Sequence, residues 1–144
     1  MNSPYPAMML DQPTLALADD DELHAELMSA WLEHQGYRVL RFASGDELVS
    51  WAAGGGGGIQ GLLLDVDMPG RDGFQSCREV RAIPSFAEVP TVFVSAATPN
   101  NIPDEVVSGA CHFIRKDERM FVQLADWLSR HIYSDASHSA IEYR

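Results

Sequence analysis

Five short apolar runs constrain this chain most: Thr14–Ala18, Tyr37–Phe42, Leu62–Leu64, Thr91–Val94 and Cys111–Arg115. Each has the length of a strand rather than of a buried helix. Helical patterns fill the intervals. Between Glu22 and Gln35, Leu23, Leu27, Ala30 and Trp31 recur at helical spacing, and Gly36 follows as a C-terminal stop. Ser44 with Glu47 forms a capping box for a helix from Gly45 to about Ala53. Asp72 caps another helix, which runs to about Ile83 and is stopped by Pro84. Pro99, Asn100, Asn101 and Pro103 break the next interval and leave room for a short helix at Asp104–Ser108. The stretch Glu118–Ile132 places Met120, Phe121, Leu124, Leu128 and Ile132 on one helical face. Strands alternating with helices imply βαβ units. The expected fold is α/β, a doubly wound five-stranded parallel sheet with helices on both faces. Residues 1–13, with three prolines, read as an extended arm, and residues 133–144 as a polar tail. One domain, 14–132, lies between them.

A parallel sheet of this kind binds ligands at the carboxyl ends of its strands, near the point where strand order reverses. The first run leads into Asp19 and Asp20, the third into Asp65, the fourth into Ser95 and the fifth into Lys116. Three carboxylates, a hydroxyl and an ammonium therefore share one edge. Clustered acids repel one another unless a cation lies among them. Magnesium favours such oxygen donors, together with phosphate oxygens and waters. A carboxylate can also act as the nucleophile that becomes an aspartyl phosphate. A lysine and a hydroxyl suit the remaining phosphoryl oxygens.

The other features are plainer. With 10 Lys+Arg against 21 Asp+Glu, the formal charge is -11. That disfavours a nucleic-acid or anionic-membrane partner, each of which needs a basic face. No apolar stretch reaches membrane-spanning length, and no basic segment followed by an apolar run suggests a secretory leader. Cys77 and Cys111 match neither a zinc spacing nor a redox pair, which fits a reduced, cytoplasmic setting. The glycine run Gly54–Gly58 reads as a mobile connector, and it lacks the Lys-Ser/Thr ending of a phosphate loop. His24 and His34 are too far apart along a helix to share a metal, and His112 alternates with Phe113 in a strand; none is expected to be a ligand or phosphocarrier.

The segments LALADDDE, LLLDVDMPGRDG, TVFVSAA and GACHFIRK together resemble the receiver domain of response regulators, over about Leu15 to Ile132. The resemblance implies the flavodoxin-like (βα)5 order of strands. It implies Asp65 as phosphoacceptor, with Asp19 and Asp20 as the acid pair for Mg2+ (or Mn2+) and Asp20 as the more direct ligand. The backbone carbonyl of Asp67 would complete the protein ligands. Ser95 matches the switch hydroxyl, Lys116 the phosphate-contacting lysine and Phe113 the aromatic switch position. It further implies a histidine kinase or phosphotransfer protein as donor and a downstream protein or output domain as reader, with no substrate turnover beyond the domain's own phosphorylation and dephosphorylation. The chain departs from the pattern at Asp117, where a proline is usual, at acidic Asp67, at Phe113 in place of tyrosine, and in a segment before Gly109 about one residue short.

Two other readings compete. A receiver-like module could bind partners without being phosphorylated. The sequence Leu62–Asp67 also resembles the opening motif of haloacid-dehalogenase-type phosphatases, a hydrophobic strand and then Asp-x-Asp. That family needs an acidic metal pair downstream of its lysine; here Asp117 and Glu118 follow Lys116 directly, with no further strand to place them.

Overall fold

Successive side chains along a strand point to opposite faces of a sheet, and in this protein both faces are covered. The computed structural model describes residues 12–97, 103–107 and 111–132. Along the chain run β1 (Thr14–Ala18), α1 (Glu22–His34), β2 (Arg38–Phe42), α2 (Gly45–Ala53), β3 (Gly61–Asp65) and α3 (Gly73–Arg81). A 3-10 turn (Pro84–Phe86), β4 (Thr91–Ser95), α4 (Asp104–Val107), β5 (His112–Arg115) and α5 (Met120–His131) follow. All pairings are parallel, and the strand order is β2-β1-β3-β4-β5. This is the flavodoxin-like doubly wound order, which reverses direction between β1 and β3.

Alternation splits the core into two layers. Leu15, Leu17, Leu63, Val92, Val94 and Ile114 meet α1 and α5 through Met28, Leu32, Leu124 and Trp127. Ala16, Ala18, Leu62, Leu64 and Phe93 meet α2, α3 and the 3-10 turn through Leu48, Val80 and Phe86. All five residues of β3 and of β4 are buried, as expected for central parallel strands covered on both faces. No described helix is long and apolar enough to cross a membrane.

The helix ends differ from expectation for local reasons. The helix α3 stops at Arg81, not Ile83. Ile83 is extended (φ -82, ψ 123), as the residue before a proline prefers to be. At α5 the chain turns first: Asp117 accepts from the Arg119 N–H at 2.9 Å, and the helix begins at Met120 rather than Glu118. Ser44 accepts from the Glu47 N–H at 3.1 Å, but the Glu47 carboxylate accepts from Ala43, not from the cap residue, so the box is half made. The reciprocal box stands instead at α3, between Asp72 and Gln75.

The glycine run is more shaped than a free connector. Gly55 and Gly58 have φ of 101 and 77, where a side chain would be strained. A Cβ on Gly56 would lie 2.3 Å from the Trp51 ring. Cys77 and Cys111, distant in sequence, are both buried in the second layer as thiols rather than a disulfide. The neighbouring Cys111 thiol and then burial hold the Cys77 thiol far above its ordinary value, which marks it as inert. Residues 1–11 of the expected arm, the Pro99–Asn101 break, Ser108, Gly109 and the tail at 133–144 lie outside the described residues.

Candidate functional site: an acidic centre at the carboxyl edge

The reversal between β1 and β3 opens the crevice in which the expected residues meet. Asp19 directly follows β1, Asp65 closes β3, Ser95 closes β4 and Lys116 follows β5. Asp19, Asp20 and Asp65 each offer a carboxylate oxygen, and these oxygens lie within 4.8 Å of one another. Asp19 and Asp65 are buried, at 3% and 5% exposure, whereas Asp20 is exposed. Lys116 Nζ sits between the two buried acids, 3.5 Å from Asp19 Oδ2 and 3.4 Å from Asp65 Oδ1.

The two buried carboxyls are driven apart in acidity. Burial pushes Asp65 up, Lys116 pulls it back, and the negative charge of Asp19 pushes it up again; the net value is about 6. Burial also pushes Asp19 up, but His24, the Asp21 backbone N–H and Lys116 outweigh it and hold Asp19 below the ordinary carboxylate value. Asp19 is therefore the fixed anion, and Asp65 is the carboxyl whose ionisation is costly without a further positive charge. A hard divalent cation with oxygen preference fits this donor set: three carboxylates, one of them open to solvent and none replaced by sulfur or nitrogen.

Around this centre the loops are tied down. The Asp67 N–H donates to Asp65 Oδ1 at 3.3 Å. Arg71 joins Glu79 of α3 (Nε to Oε2, 2.6 Å) and Asp46 of α2, bracing the loop that follows Asp65. Gly73 packs its α-carbon against the end of β3: a Cβ there would lie 2.4 Å from the Asp65 backbone oxygen. The Asp-Gly opening of α3 thus has a steric reason. Gly73→Ala is expected to cost about 1–3 kcal/mol of stability, the usual penalty for overpacking, and a denaturant titration with unchanged slope checks it.

Ser95 is buried, at 1% exposure. Its hydroxyl can donate to Asp67 Oδ2 at 3.1 Å or to the Ala97 carbonyl at 2.8 Å. The Asp67 side chain, singled out in the sequence only as extra charge, is thus a partner of the expected switch hydroxyl. Phe113 is half-buried on β5 beside Phe93 of β4 and packs against the second core layer. Asp117 lies outside the acid cluster, with its side chain turned to the Arg119 N–H, so the downstream acid pair of a haloacid-dehalogenase-type site is missing among the described residues.

His24, expected to be neither ligand nor phosphocarrier, instead touches one of the acids. Its Nδ1 lies 2.6 Å from Asp19 Oδ2. The signal was its place in the first turn of α1, three residues after the capping Asp21. Helical side chains lean toward the N-terminus, so that position faces back onto the end of β1.

The family model for the response regulator receiver domain matches residues 15–125. Response regulator PleD of Caulobacter vibrioides is 32% identical over 103 residues, covering 71% of this chain and 22% of PleD. The uncharacterized transcriptional regulatory protein YkoG of Bacillus subtilis is 30% identical over 110 residues, covering 74% of this chain and 46% of YkoG. The chain thus spans less than half of these relatives. Chemotaxis protein CheY4 of Vibrio cholerae superposes with a TM-score of 0.72 at 23% identity, over 84% of this chain and 99% of that one. Response regulator TrrA of Thermotoga maritima, solved in complex with Mg(2+)-BeF, superposes at 0.70 with 20% identity, over 84% of this chain and all of that one (100%). With the match running through every strand that supplies the acidic centre, the chain belongs to the response regulator receiver domain family.

Proposed function

We propose that this receiver takes a phosphoryl group on Asp65 from a histidine kinase, a phosphotransfer protein or a small acyl phosphate, and that the modified site switches a surface read by a downstream protein or output domain. One observation carries the proposal: three carboxylates converge with Lys116 between the two buried ones. The TrrA complex with Mg(2+)-BeF supports it by likeness of fold.

Asp19, Asp20 and Asp65 would hold Mg2+ through their carboxylates, with the Asp67 backbone carbonyl beside them. When bound, the ion would neutralise negative charge on the acids and on the incoming phosphoryl group. An Asp65 carboxylate oxygen attacks phosphorus, the bond from phosphorus to the donor's imidazole nitrogen or acyl oxygen breaks, and the donor leaves with that electron pair. Lys116, already directed at Asp65 Oδ1, takes a phosphoryl oxygen. Ser95 exchanges its present acceptors for another, and Phe113 follows into the vacated space. The switch is a population shift, not a new fold.

Receivers are signalling modules rather than enzymes that turn over a substrate, and this site fits that role. A binding module that is never phosphorylated would leave Asp65 unmodified by any donor. Phosphate incorporation by parent and Asp65→Asn chains, with and without Mg2+, separates the readings: incorporation confined to the parent with Mg2+ is expected, and incorporation by Asp65→Asn would contradict the assignment.

The Ser95–Asp67 contact adds a prediction. Asp67→Ala removes one of the two acceptors that compete with a phosphoryl oxygen for the Ser95 hydroxyl. A hydrogen bond of this kind contributes on the order of 1 kcal/mol. The half-life of the phosphorylated variant is therefore expected to lengthen about fivefold, as read by the decay of the adduct after donor removal.

A further inference from the structure

Asp19 is gripped on both oxygens. Its Oδ1 accepts from the Asp21 backbone N–H at 2.9 Å. Its Oδ2 meets His24 Nδ1 at 2.6 Å and Lys116 Nζ at 3.5 Å. His24 is itself held, because its backbone N–H donates to the capping carboxylate of Asp21 at 3.1 Å. Its side chain is only 18% exposed. A carboxylate can only accept, so Nδ1 carries the hydrogen in this bond. We propose that His24 is a positioning residue of the acidic centre: by fixing the Asp19 carboxylate it sets the affinity of the site for Mg2+ and leaves Lys116 free to serve Asp65.

Mg2+ demands near-octahedral placement of its oxygens and its waters, so a carboxylate that can rotate is a poor contributor. Without His24, the contact left to Asp19 Oδ2 is Lys116. The ammonium would then follow Asp19 and withdraw from Asp65 Oδ1, now 3.4 Å away. Partners that orient metal-binding side chains are worth on the order of 10–100-fold in metal affinity.

The inference rests on the reading of the site as a Mg2+ centre, and the experiment separates the two. Calorimetric titration of Mg2+ into parent, His24→Ala and His24→Asn chains at one fixed pH gives three dissociation constants; thermal unfolding without metal is recorded beside them. Asparagine can place its amide nitrogen where Nδ1 stood. The expected result is about tenfold weaker binding by His24→Ala, substantial recovery in His24→Asn, and a donor reaction that needs more Mg2+ for half its maximal rate and has a lower maximum, as Lys116 follows Asp19 away from Asp65. Equal affinities in parent and His24→Ala, with only the unfolding temperature changed, would make His24 a mere helix contact and overturn the inference alone. A parent chain that binds no Mg2+ would overturn the underlying reading and this one with it.

Discussion

Metal-free Asp65→Asn protein is expected to be more stable than the parent at pH 7 and above, by on the order of 2 kcal/mol, and equal to it below about pH 4. The sign follows from the folded value. Burial raises Asp65 from 3.8 to about 6 against the opposing pull of Lys116. A carboxyl raised in the fold contributes fully below its unfolded value, and the contribution is lost as pH rises through the folded value. Between about pH 4 and pH 7 the parent must therefore force a charge into a site that resists it, whereas the amide carries no such cost. Urea unfolding of both chains across that range should show the gap opening with pH. Saturating Mg2+ should narrow it, since a ligand at a hundred times its dissociation constant stabilises by about 2.7 kcal/mol. A gap independent of pH would mean that Asp65 is not the strained acid.

Lys116→Ala should have effects of opposite sign on the two halves of the chemistry. Its ammonium lies within salt-bridge distance of both buried acids. Removing it leaves the pocket more negative, so Mg2+ should bind more tightly, by a few-fold. The positive group directed at the phosphoryl position is gone, so incorporation at saturating Mg2+ should fall on the order of a hundredfold or more, as when one preorganised donor is lost elsewhere. Without metal the variant should also lose about 1–3 kcal/mol, short of the figure for a fully buried pair, because the Lys116 side chain is 17% exposed. Lys116→Arg should recover stability better than rate, because a planar guanidinium does not occupy the position of a compact ammonium. Calorimetry and single-turnover incorporation read the two effects apart. A parallel loss of both affinity and rate would point to a collapsed site instead.

The fold was legible because its signals are local and periodic. Leu62–Leu64 announces a central strand by being apolar throughout, and Pro84 announces the end of α3. Once the strands are parallel, topology alone carries Asp19, Asp65, Ser95 and Lys116 to one edge. The contacts that tune this edge depend on side-chain direction across elements, which periodicity does not encode. Ser95 reaches Asp67 only because β4 lies beside β3 in this register. His24 reaches Asp19 only because α1 returns over the end of β1. Glu47 has two backbone N–H groups within a residue of each other to choose between, and it serves Ala43 rather than Ser44. The burial of Cys77 and Cys111 in one layer depends likewise on how α3 crosses the sheet.

The proposed site at which this receiver is written is Asp65. Intact-mass measurement of the full chain with acetyl phosphate and Mg2+, followed by peptide mapping after borohydride trapping, tests it most directly. One adduct of about 80 Da is expected, dependent on Mg2+, absent from Asp65→Asn and mapped to Asp65. An unmodified parent under those conditions, or an adduct mapped to another residue, would contradict it.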